Sequence, residues 1–318
     1  WCIVSVLIAV SGITAYLFSS IAGYNCFLMT SHDFLGNVNK ELVWRLVSVF
    51  RHPGMLTLYL HASIVFGLIL VAKNKGGRRY YLGYVIVALC FIAALLTKTR
   101  CNAGIAITIF LIVASLDIKN IYFSILRYIS FIYALAFMAI AIVLTVWWVF
   151  PVHLQIDQKR QVVSLELNVV KQPYFIHHMA ELKIIRDFPL VGVGLGMYNQ
   201  RQASYIRWGD LEKPYHQIFP DLKKENESAY RRTDPHSLYF GMGAESGLLG
   251  LGAMLIFFLL LARLFYRKIK EGADNQNRYI YVVFLAGLAG FLFNGLYLDM
   301  LTVRSFWLMF AMGAAYKD

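Results

Sequence analysis

A histidine stands at the polar entrance to a long apolar run, in the stretch TDPHSLYFGMGAESGLLGLG at residues 233–252. Asp234 and Ser237 lie close to His236. A neutral imidazole can take a proton from a hydroxyl near pH 7, so His236 is a candidate general base. The alternative is a histidine that caps a helix or lies at a membrane interface. Pro235 predicts a helix start here, because proline is favoured at the first helical position.

Glu245 is a carboxylate well inside the same apolar run. Ionisable groups in such segments are functional candidates, since they usually face a cavity or a partner. Glu245 follows His236 by nine residues, about 900° around a regular helix, which places the two side chains on opposite sides. We therefore expect Glu245 to order neighbouring helices or a cavity wall. Gly243 and Gly247 form a G-x-x-x-G pattern that predicts close helix packing, and Gly250 continues this glycine-rich run.

Three arginines are candidate phosphate ligands, because the planar guanidinium group binds phosphate oxygens in pairs. Arg100 lies in LLTKTRCNAG and Arg304 in LTVRSFW, each in a short turn beside an apolar segment. Both can instead be interfacial arginines whose aliphatic stems lie along apolar surface. Arg186 lies in a long polar segment of the chain. Further positive charge in that segment comes from Lys171, Arg231 and Arg232.

No pattern in the sequence indicates a nucleotide site or a nucleophilic serine. The four cysteines, Cys2, Cys26, Cys90 and Cys101, lack metal-ligand spacing. A net charge of +12 would suggest nucleic acid in a soluble protein, but no basic-aromatic module is present. Much of the excess charge fits cytoplasmic loops of a membrane protein. We therefore expect no metal, no cofactor and no nucleic-acid partner.

The composition predicts an all-α, polytopic membrane protein. Of 318 residues, 59% are hydrophobic and 15% charged, against about 45–50% and about 25% in soluble domains. Hydropathy gives about eight apolar segments, and a membrane span needs roughly 20 apolar residues. The third, fourth and eighth are short enough to be re-entrant or strongly tilted. The segments are about 2–24, 54–72, 81–97, 103–116, 122–149, 238–264, 279–297 and 302–316.

Charged loops predict the orientation of these segments. The loops at 73–79 and 267–278 are rich in Lys and Arg, which indicates a cytoplasmic face. Counting spans then puts Arg100 and His236 on the opposite face. We expect three regions: a bundle of about five spans at 1–150, a large loop at 151–235 and a bundle of about three spans at 236–318.

Part of the large loop has a helical pattern. HHMAELKIIRDFPLVGVGLGMY at residues 177–198 predicts an amphipathic helix that ends near Pro189 and is followed by a Gly-rich turn. The sequence DLKKENESAYRRTD at 221–234 predicts a polar linker.

The combination resembles the superfamily of bacterial O-antigen ligases and O-antigen polymerases. The ligase signature is His, then Asn, Ser or Gln, then nine residues, then G-x-x-G. It is matched here by His236, Ser237, Gly247 and Gly250. The sequence around Glu245 is similar to the family's E-x-G-L-x-G. Looser matches are TKTR at 97–100, which ends on Arg100, the P-x-x-G-x-G form at Pro189, and Arg304 in an Arg-Ser pair.

The resemblance covers roughly residues 60–316, and it implies further spans before Trp1. One position departs from the family pattern. Relatives usually have an arginine about fifteen residues before the loop proline, where this chain has Tyr174. Lys171, Arg186 or an arginine at 231–232 could stand in for it.

The resemblance implies a membrane glycosyltransferase of type C in the bacterial inner membrane, with one large periplasmic loop. It implies an undecaprenyl-diphosphate-linked glycan donor and, for a ligase, a sugar hydroxyl of lipid A-core as acceptor. His236 would be the base, with Arg100, Arg186 and Arg304 as diphosphate ligands and no metal, and the anomeric carbon would invert. The alternatives are an O-antigen polymerase, a protein O-oligosaccharyltransferase and a lipid-linked glycan transporter. Transport is less expected, because the chain lacks the duplicated halves common in transporters.

Overall fold

The structure, a computed structural model, describes most of the apolar helices and part of the large loop. The described residues are 1–22, 30–34, 42–50, 52–74, 76–115, 152–157, 162–167, 173–206, 235–272 and 275–316. Several predicted features lie outside them: the apolar segment at 122–149, the linker at 221–234 and the cations Lys171, Arg231 and Arg232.

The chain forms two compact units. The first comprises Trp1–Leu35, Glu41–Phe137 and Met254–Asp318, and the second comprises Gly36–Lys40 and Met138–Ala253. The described elements of the first unit are α1 (Cys2–Ala22), β1 (Thr30–Phe34), β2 (Leu42–Leu46), α2 (Pro53–Lys73), α3 (Arg78–Leu96), α4 (Asn102–Ser115), α8 (Asn275–Asn294) and α9 (Arg304–Ala315). Those of the second are β3 (Val152–Asp157), β4 (Val162–Leu167), α5 (Pro173–Asp187) and α6 (Tyr198–Gln202). Helix α7 (Leu238–Glu271) begins in the second unit and ends in the first.

Among the described residues, four helices are long and apolar enough to cross a membrane, which confirms the prediction of a mostly helical membrane protein. They cover Cys2–Ile21, Pro53–Lys73, Arg78–Leu96 and Leu238–Glu271. Helix α4 is apolar but has only 14 residues, so the fourth predicted segment is short in the structure too. The eighth predicted segment corresponds to α9, which has 12 residues.

The core of the first unit is built around α2 and a crossing of α4 with α8. A Cβ added to Gly104 would collide with the backbone oxygen of Gly290, and a Cβ on Gly290 with that of Gly104. Such small residues let membrane helices approach closely and form polar contacts. Near this crossing, His61 Nε2 lies 2.7 Å from Thr108 Oγ1, and the His61 ring stacks on Phe291 with centroids 4.2 Å apart.

The described residues include two antiparallel strand pairs, so the prediction of an all-α fold is wrong at these positions. Strand β1 pairs with β2, and β3 pairs with β4. In β3 the sequence VHLQID alternates apolar and polar residues with the period of a strand. Its partner continues this pattern, because Val152, Leu154 and Ile156 lie opposite Leu167, Leu165 and Val163 in that order. This alternation is visible in the sequence, but strands this short do not appear in a hydropathy pattern that identifies long apolar segments.

Candidate functional site

Helix α5 supplies most of the polar groups near His236. Its buried residues are His177, Ala180, Glu181 and Ile184, spaced three and four residues apart as on one helix face. The intervening Met179 and Leu182 are exposed. The predicted amphipathic helix is therefore confirmed, although its buried face carries an imidazole and a carboxylate among the apolar side chains.

The helix ends where Pro189 predicted. Its last residue is Asp187, and the amide of Phe188 still donates to the Ile184 carbonyl at 2.8 Å. The predicted Gly-rich turn follows and is confirmed by backbone geometry. Gly192, Gly194 and Gly196 have φ of 66°, 103° and 72°, a region that residues with a Cβ seldom adopt. We refer to residues 188–197 as the glycine loop.

Helix α7 is broken at Gly247. This glycine has φ 66° and ψ −170°, which no regular helix contains. The predicted apolar segment at 238–264 is therefore not one regular helix. Gly247 makes a turn between two helical segments, whereas Gly243 does pack closely, because a Cβ there would lie 2.9 Å from Ile185 Cδ1. Gly250 lies in the second segment, against Ser246.

The glycine loop supplies the hydrogen bonds that the break would otherwise leave unmade. Carbonyls at the end of the first helical segment accept amides of the loop, and amides at the start of the second segment donate to carbonyls of the loop. The four bonds are Val193 N to Ala244 O (3.0 Å), Gly194 N to Glu245 O (2.8 Å), Leu248 N to Pro189 O (2.7 Å) and Leu249 N to Leu190 O (3.3 Å). Because unpaired backbone groups are costly in an apolar medium, the loop and the break stabilise each other.

Backbones approach so closely here that side chains are excluded. A Cβ on Gly192 would collide with the backbone of Glu245, and a Cβ on Gly247 with the backbone of Leu190. The predicted Gly-rich turn and the predicted G-x-x-G segment are thus two halves of one structure. The sequence analysis found both segments without finding the connection between them.

His236 lies just before the first turn of α7 and is half-buried. Its ring centroid is 5.5 Å from that of His177, with the planes inclined by 64°. The helix itself begins at Leu238, so the start predicted from Pro235 is wrong. Ser237 takes the capping position, because its Oγ accepts the amide of Phe240 at 3.5 Å. Capping is therefore the role of Ser237, which argues against the capping alternative for His236.

Glu181 connects His236 to α5. Its side chain is completely buried. One carboxylate oxygen, Oε1, accepts the backbone amide of His236 at 3.4 Å, and the other, Oε2, lies 2.6 Å from His178 Nδ1. Burial raises the pKa of Glu181, and the contacts with His178, His236 and Tyr198 oppose this rise. An isolated buried carboxylate is strongly unfavourable, so these partners are what make the position tolerable.

His177 is a buried neutral imidazole. Burial lowers its pKa to about 3, and the neighbouring His236 and His178 contribute to the same shift. Its Nδ1 is hydrogen-bonded to the side-chain amide of Gln202. The phenol of Tyr198 donates to its backbone carbonyl at 3.4 Å.

The residues predicted from the sequence did not include these groups, although the sequence contains one signal for them. His-His-x-x-Glu places Glu181 one helical turn after His177 and His178, on or beside the face that α5 buries. The short helix α6, which contributes Tyr198 and Gln202, has no comparable signature in the sequence.

Glu245 lies beside the break, two residues before Gly247. It is half-buried, and its backbone carbonyl holds the glycine loop. Burial raises the pKa of Tyr198 far above its usual range, with Glu181 and Glu245 adding to the rise. The Glu245 carboxylate therefore acts electrostatically on Tyr198, and its role in ordering neighbouring helices or a cavity wall stays a prediction.

The three predicted phosphate-binding arginines have different surroundings. Arg100 belongs to the first unit, is half-buried and lies over the Tyr297 ring, 5.9 Å from its centroid. Arg304 also belongs to the first unit, where it is exposed at the start of α9. Arg186 is an exposed residue of the second unit, and its Nη2 contacts Asp187 at 3.1 Å.

A further arginine, Arg45 on β2, lies close to the turn that holds Arg100. Its Nε donates to the Thr97 carbonyl at 3.1 Å. Burial raises the pKa of Cys101 to about 12, and the positive charges of Arg100 and Arg45 oppose this rise. Both arginines therefore lie near Cys101. No motif in the sequence singles out Arg45, and its hydrogen bond to the turn at 97–100 is what makes it a candidate.

Within the described residues, no group of three or more His, Cys, Asp or Glu side chains is arranged to hold a metal ion. The three described cysteines, Cys2, Cys90 and Cys101, are free thiols. Comparison with protein-family models gives no match, and comparison with curated proteins gives none either.

Proposed function

We propose that the protein is an inverting, metal-independent glycosyltransferase of the bacterial inner membrane. The donor is a glycan linked to a polyprenyl diphosphate such as undecaprenyl diphosphate, and the acceptor is a sugar hydroxyl of lipid A-core. The protein would then act as an O-antigen ligase on the periplasmic face. The observation that carries the proposal is the half-buried His236 at the mouth of an apolar helix, tied through its backbone to the buried Glu181.

In the proposed reaction, His236 takes the proton of the acceptor hydroxyl as its oxygen attacks the anomeric carbon. The bond from that carbon to the diphosphate oxygen breaks at the same time, which inverts the configuration. The diphosphate leaves with the bonding electron pair. It needs no proton if positive groups balance its developing charge.

Arg100 is the proposed ligand of the leaving diphosphate. Its guanidinium carbon lies 5.9 Å from the centroid of the Tyr297 ring, near the outer limit of a cation–π contact. Such a contact reduces the orientations open to the guanidinium group, which lowers the entropic cost of binding phosphate oxygens. Arg45 is an additional candidate because its positive charge lies near the same turn. Arg304 and Arg186 are weaker candidates, since both are exposed and Arg186 already contacts Asp187.

The test is transfer by the purified protein in detergent, from a lipid-linked glycan to lipid A-core. We expect His236→Ala to lower kcat by about 10²–10⁴-fold, the usual contribution of a general base. Arg100→Ala should lower it by about 10²–10³-fold. Two exposed residues supply matched controls that should keep wild-type rates: Met179→Ala for a side chain near the histidines, and Arg79→Ala for the loss of a positive charge.

The same assay separates the alternatives. Extension of the lipid-linked glycan without lipid A-core would indicate a polymerase, and attachment to a protein would indicate an O-oligosaccharyltransferase. Because detergent removes any membrane gradient, transfer under these conditions would rule against a transporter. A wild-type protein that transfers glycan to no acceptor would contradict the proposal.

A further inference from the structure

A second histidine of the site has the surroundings of a proton acceptor. His178 lies one helical turn before Glu181 on α5, and its Nδ1 is 2.6 Å from Glu181 Oε2. The two ends of this contact differ sharply in exposure, since the His178 side chain is 28% exposed and that of Glu181 is 0% exposed. The carboxylate is thus held inside the protein while part of the imidazole reaches the surface.

The hydrogen bond determines which ring nitrogen can react. An ionised carboxylate can only accept hydrogen bonds, so the proton of the neutral ring must be on Nδ1. The lone pair is then on Nε2, where it can take a proton from another molecule. Carboxylates that orient a catalytic imidazole in this way both fix its tautomer and stabilise its protonated form.

Other contacts hold the carboxylate in this position. Its Oε1 accepts the His236 amide at 3.4 Å. The His178 ring lies 5.4 Å from the ring of Phe240 on α7, measured between centroids. His178 is therefore positioned from two elements, α5 and α7, and is not a freely rotating surface residue.

The adjacent His177 cannot accept a proton from a bound hydroxyl in this way. It is 1% exposed, so a bound hydroxyl could not reach it, and its Nδ1 is hydrogen-bonded to Gln202 instead of a carboxylate. The two consecutive histidines therefore have different environments, and only one of them combines a carboxylate partner with access to solvent.

We propose that Glu181 and His178 form an acid/base dyad, in which Nε2 of His178 is a second proton acceptor beside His236. The role in catalysis rests on the proposed glycosyl transfer. Each transfer releases one proton, which His236 takes first from the acceptor hydroxyl. The N–H bond of His236 then breaks, and the proton passes through water to form an N–H bond at Nε2 of His178. The proton then passes to water, which restores the neutral ring.

The first experiment does not depend on activity. Nitrogen NMR of protein labelled with ¹⁵N-histidine distinguishes the two neutral tautomers, and the His178 signals are assigned by their loss in His178→Gln. We expect the neutral ring of His178 to carry its proton on Nδ1, and Glu181→Leu to shift it toward Nε2. A wild-type ring with its proton on Nε2 would overturn the dyad, whatever the protein does to glycans.

The second experiment measures transfer kinetics. We expect His178→Ala to lower kcat by at least about tenfold with KM unchanged, a loss typical of an acid/base residue. Because the two groups act as one unit, the fold-loss of kcat in Glu181→Gln combined with His178→Ala should be smaller than the product of the two single fold-losses. Met179→Ala, which alters the neighbouring exposed residue of α5, is the control. A kcat for His178→Ala equal to that of Met179→Ala would overturn the catalytic role.

The two experiments separate this inference from the proposed function. If the wild-type protein transfers no glycan, the proposed function fails while the tautomer still decides whether the dyad exists. If the wild-type protein transfers glycan and the tautomer is wrong, the proposed function stands and the dyad fails.

Discussion

The pKa values of two neighbouring side chains of α5 are shifted in opposite directions. Burial lowers the pKa of His177 from 6.5 to about 3. Burial raises the pKa of Glu181 above its ordinary 4.5. The folded protein therefore favours the uncharged ring of His177. It also favours the protonated form of Glu181 more than an aqueous environment does. A change of pH acts on these two residues with opposite effects on stability.

The first of these effects can be isolated by His177→Gln. Between pH 6.5 and about 3 the unfolded chain protonates His177 and the folded chain does not, so stability is present above pH 6.5 and is lost as the pH falls. The slope can reach about 1.4 kcal/mol per pH unit. Hydrogen exchange of the α5 amides at pH 7 and pH 5 should show a larger loss of protection in the wild type than in His177→Gln.

His177→Gln is the reference for the wild type, because it retains Glu181 and therefore any pH dependence of stability that this carboxyl causes. Only the difference between the two pH dependences reports on His177. Equal losses of protection in both proteins would contradict the assigned burial of a neutral imidazole.

At the scale of elements, sequence predicted the features that depend on local pattern. The apolar runs gave the long helices α1, α2, α3 and α7, and Pro189 gave the end of α5. Sequence did not predict the break in α7, because a single glycine in an apolar run fits helix packing equally well. The break is stabilised by hydrogen bonds from the glycine loop, which is distant from it in the sequence. Glu181 was missed for a similar reason, since its value as a site residue comes from contacts across elements.

Gly247→Ala should disrupt the contact between the glycine loop and α7. Its φ of 66° and ψ of −170° fall in a region that is essentially restricted to glycine, at a cost of about 1–3 kcal/mol for other residues. The added Cβ would also collide with the Leu190 backbone. We expect faster hydrogen exchange at the amides of Val193 and Gly194 and a lower Tm.

Gly252→Ala is the matched control for this change. It lies in the same helix, and an added Cβ there meets no heavy atom within 4 Å. Alanine is also the better helix former, so Tm should stay the same or rise slightly. If the two variants had equal Tm, the break would not be holding the loop.

At the scale of the whole molecule, the four helices in the described part of the chain that can cross a membrane leave the orientation open. The basic loop before α3 predicts a cytoplasmic face there, and the glycine loop should lie on the other side. Gly76 and Gly196 form a matched pair for testing this. Both have positive φ, and an added Cβ at either position meets nothing within 4 Å.

A single cysteine at each position, in a protein without its native cysteines, reports the side of the membrane. We expect a membrane-impermeant maleimide to label Gly196→Cys in intact spheroplasts. Gly76→Cys should react only after the membrane is permeabilised. The reverse labelling pattern would contradict a periplasmic site, and with it the proposed access to lipid-linked glycans.

The four hydrogen bonds between the glycine loop and the break in α7 also have a consequence for protein engineering. Each segment alone is an incomplete structure, with backbone donors or acceptors that only the other segment satisfies. A chimera that receives the histidine segment from another protein, but keeps its own loop, would have to match these bonds by chance. The two segments should therefore be transferred together between proteins. We expect few folded proteins from a library that recombines them separately.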